Sequence, residues 1–188
     1  MDLVAVIGLG NPGAEYGVTR HNVGFAVVDE LARRWRVTAW RRRHHALLAR
    51  RAGGRDVLLV KPQTFMNASG EAVAALCDGE ALVPAVCLVV VDDVDLPLGQ
   101  LRLRQRGGSG THNGLRSVVA AIGEGFPRLR LGVQGEQVTG ELADYVLAPF
   151  ETAEREAAAA MTVQAADCVE MALRVGLARA ADHYNRSV

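Results

Sequence analysis

No apolar run among these 188 residues approaches the ~18 residues that a membrane helix needs, so a membrane-spanning reading is set aside. Cysteine is scarce. Cys77, Cys87 and Cys168 are odd in number, widely spaced and set among apolar residues, which excludes a disulfide framework or a CxxC metal site and leaves buried thiols as the expectation. Met1-Asp2 leads straight into Leu3–Ile7 with neither the basic region nor the cleavage site of a secretory signal, so a cytoplasmic location is expected. There is also no internal repeat, low-complexity linker or composition break. One domain over residues 1–188 is expected, long enough to bury roughly 70% of its unfolded surface without metal or disulfide. Net charge is absent too, yet its distribution is uneven. Residues 1–60 hold ten Arg against five acids, residues 100–135 six Arg against Glu124 alone, and residues 136–188 nine acids against four Arg. An electrically two-sided molecule remains open to a polyanionic partner.

What is present is a regular alternation. Leu3–Ile7, Val57–Val60, Val86–Val91 and Leu129–Val133 are apolar runs of strand length bounded by Gly, Pro or Asp, and Leu101-Arg-Leu-Arg104 alternates like a strand with one wet face. Helical spacing is seen in Phe25, Val28, Leu31 and Trp35, in Leu115, Val118, Val119 and Ile122, and in the Ala-rich stretch from about residue 152 to 181. The pattern predicts an α/β fold with a mainly parallel sheet covered on both faces, and Leu101–Arg104 as an antiparallel edge.

Several segments carry candidate chemistry. Gly8-Leu-Gly-Asn-Pro-Gly13 has the GxGxxG spacing of a dinucleotide site, but no amphipathic helix follows directly; the glycines can equally shape a turn that presents Asn11. His21, in Thr19-Arg-His-Asn22, is an ionisable group just before a helix. Val86–Val91 ends abruptly in Asp92-Asp-Val-Asp95, and ligands of parallel sheets sit beyond such strand ends. Three acids in four positions could also bind a divalent metal, although no neighbouring His or Cys completes a cage. Lys61–Gly70 brings Asn67 to the same level, with Ser69 as the expected helix N-cap. Gly107–Thr111 precedes His112-Asn113 and reads as a mobile, phosphate-facing flap or as a mere flexible connection. A base candidate, a strand-end carboxylate and the amides of Asn11, Asn67 and Asn113, with no Ser or Cys in a nucleophile elbow, suit attack by water.

Taken in order, Gly8–Gly13, Tyr16, Thr19–Asn22, Phe65-Met-Asn-Ala-Ser-Gly70, Asp92–Pro97, His112-Asn-Gly-Leu115, Arg128–Gly132 and Tyr145–Leu147 resemble the bacterial peptidyl-tRNA hydrolases. The resemblance implies a single αβα three-layer domain with a twisted, mixed sheet, acting as a monomer without metal or cofactor. It implies hydrolysis of the ester between a peptide and the terminal ribose of tRNA, with peptidyl-tRNA as partner through its acceptor arm and 3′ end. His21 matches the general base and Asp92 the carboxylate that orients it. Asn11 matches a residue that helps tell blocked from free aminoacyl-tRNA, and Tyr16, Phe65, Asn67 and Asn113 match positions contacting the tRNA end or the peptide. Arg102, Arg104, Arg106, Arg116 and Arg130 become expected phosphate contacts. Thr111 stands where the family usually has Gly, which predicts strain if that position needs positive φ, and Gln134 and Ala148-Pro149 also depart from the pattern.

Overall fold

The computed structural model describes residues 2–51, 56–135 and 141–185. Its strands are β1 (Ala5–Gly8), β2 (Arg41–Arg43), β3 (Ala46–Arg50), β4 (Leu58–Pro62), β5 (Cys87–Pro97), β6 (Leu101–Arg104) and β7 (Arg128–Gln134). Its helices are α1 (Val23–Arg34), α2 (Ser69–Gly79), α3 (Asn113–Ile122), α4 (Leu142–Leu147), α5 (Arg155–Val175) and α6 (Leu177–Tyr184). All seven strands form one sheet in the order β2-β3-β4-β1-β5-β7-β6. The central β4, β1, β5 and β7 run parallel, and β2, β3 and β6 add antiparallel edges.

Because side chains alternate across a strand, β1 and β5 feed two cores at once. Val6, Leu88 and Val90 pack under α1 and α5, whereas Ile7, Val89 and Val91 pack under α2 and α3 with Leu76, Leu115 and Val118. Three layers result, as expected. The three cysteines are free and buried.

Departures from the expected elements have physical causes. The β2–β3 hairpin escapes periodicity because β2 is Arg41-Arg-Arg43, an exposed edge with no apolar face. β5 does not stop at Asp92 but continues to Pro97, because β7 goes on pairing with it through Asp92↔Leu131 and Asp93↔Gly132. β1 accompanies β5 only as far as Gly8↔Val90, so Asp92 still emerges beyond the end of its neighbour. The Ala-rich tail is two helices, divided at Gly176, whose φ of 93° breaks the turn.

A close backbone approach sits directly beneath the strand ends. A Cβ on Gly8 would run into the Gly24 carbonyl, and one on Gly24 into the carbonyl oxygens of Leu9 and Val90. Small residues on both sides let the first turn of α1 press against β1 and β5. Gly24→Ala is expected to destabilise the fold by about 1–3 kcal/mol, since rigid backbone must move to admit the methyl group. Urea denaturation checks this; an unchanged midpoint would show that the contact is not needed.

Candidate active site

The strand ends carry the site. Asp92, 1% exposed, accepts hydrogen bonds from two imidazoles: His21 Nδ1 lies 2.8 and 2.9 Å from its two carboxylate oxygens, and His112 Nε2 lies 2.8 Å from Oδ1. A carboxylate only accepts, so both contacting ring nitrogens carry protons. The two rings are 5.0 Å apart, tilted by 44°. Burial alone would raise the Asp92 carboxyl, but the N–H groups that His112 and His21 aim at it outweigh burial and hold the group well below the usual carboxylate range.

Each imidazole is placed by local structure. His21 is the middle residue of a 3-10 turn, Arg20–Asn22, that leads into α1. His112 caps α3, its Nδ1 accepting from the Leu115 amide at 3.1 Å. That bond settles the His112 tautomer, since a ring whose Nδ1 accepts must carry its proton on Nε2. The three groups offer ligand-type atoms within 4.8 Å of one another, so distant histidines do flank the strand-end carboxylate, contrary to the reading from sequence neighbours. His112 nevertheless turns an N–H toward Asp92, not a lone pair, and the trio is satisfied as a hydrogen-bond chain.

Asn11, Asn67 and Asn113 surround the same cleft with Tyr16, Phe65 and Met66. Asn22 grips the Asn11 backbone from both sides, accepting from its N–H and donating to its carbonyl, each at 2.9 Å. The Asn11 side-chain oxygen accepts from the Met66 amide at 2.8 Å, and that of Asn113 accepts from Arg116 Nη1 at 3.0 Å. Those single bonds orient both amides and turn their NH₂ donors away from the partners that hold the oxygens. Phe65, 60% exposed, stands edge-on to Tyr16 with ring centroids 6.5 Å apart. A second cavity of about 250 Å³ opens on the far side of His21, lined by Asp93, Val94, Thr111, Asn113, Arg130 and α4.

The expected arginine surface divides. Arg102, Arg104, Arg106 and Arg116 are exposed. Arg130 is instead engaged inward, donating to Asp93 Oδ2 at 3.2 Å and to the carbonyls of Gly108 and Ser109. Beside it Arg128, 1% exposed, donates to the carbonyls of Gly107, Gly108, Glu124 and Phe126, and burial, reinforced by the Arg130 charge, pushes its guanidinium down to about 10. The glycine-rich segment before His112 is thus tied down through its carbonyls. Thr111 is not strained, because the left-handed residue there is Gly110, at φ 60°. Ser69 does not cap α2; its hydroxyl donates to the Met66 carbonyl at 2.8 Å. No helix starts directly after Gly8–Gly13, only the 3-10 turn Ala14–Tyr16, so a phosphate there would meet no α-helix N-terminus.

Asn22 and His112 carry roles that sequence reasoning did not assign. The signals for both were adjacency to a residue already singled out and a place within the motifs that carry the family resemblance.

With its folded titration below the unfolded value of ~3.9, Asp92 contributes stability that is complete above that pH and lost as pH falls through the folded value. Urea melts of the wild type and Asp92→Asn are therefore expected to converge as pH drops below about 4. A gap that widens in acid would contradict the assignment.

The peptidyl-tRNA hydrolase family model matches residues 5–188. A peptidyl-tRNA hydrolase of Roseiflexus castenholzii is 48% identical over 183 residues, covering 96% of this chain and 86% of the relative. One from Aquifex aeolicus is 42% identical over 188 residues, covering 99% and 98%. The crystal structure of peptidyl-tRNA hydrolase from Acinetobacter baumannii superposes with a TM-score of 0.90 at 32% identity, covering 98% of this chain and 95% of that one. A match that runs through every strand and helix of the sheet, at nearly half identity to named members, makes this chain a member of the peptidyl-tRNA hydrolase family.

Proposed function

We propose that His21 and Asp92 carry out the peptidyl-tRNA hydrolysis of this family as general base and orienting carboxylate. The observation that carries the reading is the pair of contacts from His21 Nδ1 to the buried Asp92 carboxylate, at 2.8 and 2.9 Å, which call for the proton on Nδ1 and so leave the lone pair on Nε2. Nε2 takes a proton from water, and the hydroxide adds to the ester carbonyl carbon. The tetrahedral intermediate then expels the ribose oxygen, which recovers the proton from the imidazolium. The peptide acid, which gives up its proton to solvent to become the carboxylate, and tRNA with a free hydroxyl leave. His112 assists from behind by sharing the carboxylate and limiting its rotation.

The amides suit the remaining tasks. With its oxygen occupied, Asn113 offers donors to the oxyanion. Asn11, its side-chain oxygen oriented by the Met66 amide, offers NH₂ donors that fit the acyl carbonyl of a blocked amino group, where a free ammonium would present a donor to a donor. Asn67, Tyr16 and Phe65 line the cleft that receives the tRNA end or the peptide. A monomer acting in the cytoplasm, where such a substrate is met, completes the reading. No helix among the described residues is long and apolar enough to cross a membrane.

Arg102 and Arg104 lie opposite Arg130 and Arg128 in the β6–β7 register, with Leu101 and Leu103 turned into the core, so both arginines extend from one face of the sheet edge. They are the proposed phosphate contacts, with Arg106 and Arg116 beside the same loop and helix. Arg130, held by Asp93 and the loop carbonyls, supports that surface from within.

In the presence of chelator the protein is expected to cleave an N-acetylated aminoacyl-tRNA and spare the free form. His21→Ala is expected to lower kcat on the order of 10²–10⁴-fold while leaving tRNA affinity unchanged. Full turnover by that variant would end the mechanism. Arg102→Ala and Arg104→Ala should each flatten the dependence of log affinity on log salt by roughly 0.7–0.9, without loss of kcat at saturation. Salt titrations of tRNA binding measure this, and an unaltered slope would move the phosphate surface elsewhere.

A further inference from the structure

The buried arginine beside the base is left unused by this mechanism. Arg20 is 3% exposed, and its guanidinium reaches across the sequence to the segment around α4. Nη1 donates to the Pro149 carbonyl at 2.6 Å and the Ala148 carbonyl at 3.4 Å, and Nη2 pairs with Glu154 at 2.5 Å. The guanidinium carbon lies 4.3 Å from the centre of the Tyr145 ring and 5.2 Å from that of Phe150. The backbone makes the same connection: Arg20 N–H donates to the Ala148 carbonyl at 3.1 Å, and Thr19 forms an isolated bridge with Pro149. At its other side Tyr145 is held to the end of β7, its hydroxyl donating to the Val133 carbonyl and accepting from the Gly135 amide, both at 2.8 Å. Ala143 and Val146 of α4 line both cavities that meet at His21.

We propose that Arg20 is a positioning residue, which fixes the α4 wall of the cleft against the turn carrying His21 and so sets the width of the slot in which the ester meets the imidazole. Planar stacking and a fork that spans two carbonyls and a carboxylate need a guanidinium; an ammonium can take only part of that set. The inference rests on His21 being the base. Since misplacing a substrate by about 1 Å can cost on the order of 100-fold, the loss should fall on kcat, not on tRNA binding.

The test resolves kcat and KM on N-acetylated aminoacyl-tRNA for Arg20→Lys and Glu154→Gln, with thermal melts of each. Arg20→Lys is expected to lower kcat on the order of 10–100-fold at temperatures where it is folded, with KM for tRNA within about twofold of wild type. Glu154→Gln should lower kcat in the same direction and by less. Wild-type kcat in folded Arg20→Lys overturns the proposal, as does a loss that disappears once the assay is cooled to equal folded fractions. Should Arg20→Lys fail to fold, Glu154→Gln decides, and wild-type kcat there overturns it. An active His21→Ala enzyme would instead remove the base assignment, a failure distinct from either.

Discussion

A single carboxylate, buried at the end of a central strand and shared by two imidazoles, constrains everything around it. Asp92 stays ionised in a place where burial alone would neutralise it, and only the N–H donors of His21 and His112 make that tolerable. Each donor in turn demands structure. His21 needs its 3-10 turn against α1, and His112 needs the Leu115 amide at the start of α3 to keep its proton on the correct nitrogen. Removing one partner would leave the carboxylate with an unmet demand in a nearly dry site.

The sheet supplies the place for that interaction. β5 runs past the end of β1 because β7 keeps pairing with it, so Asp92 has hydrogen-bonded backbone on one side and the open cleft on the other. Gly8 and Gly24 let α1 close on the same point, which brings the Arg20–Asn22 turn down onto the strand ends. On the far side, two arginines hold the segment before His112 by its carbonyls. The loop that delivers one imidazole is therefore anchored to the strand beside the carboxylate that receives it.

Much of this was legible beforehand, for reasons that differ by residue. β5 could be read from Val86–Val91 because a strand buried on both faces is apolar throughout, and β6 from its alternation. The β2–β3 hairpin could not, because three arginines on a free edge obey no hydrophobic period. His21 and Asp92 stood out by chemistry and by position before a helix or after a strand. His112 did not, since its role depends on meeting a carboxylate 20 positions away. That Arg130 pairs with Asp93 could not be read either, because charge count says nothing about an inward partner.

Local order along the chain determined the alternation of strands and helices, the absence of a nucleophile elbow, the candidates His21 and Asp92, and the family pattern they spell. These follow from composition, periodicity and short motifs, which are properties of neighbours in sequence. Which nitrogen carries a proton, which amide oxygens are already spent, and which arginines face outward were decided only by tertiary structure. Protonation, hydrogen-bond saturation and burial depend on groups brought together from β1, β5, α3 and α4, and no local rule encodes such contacts.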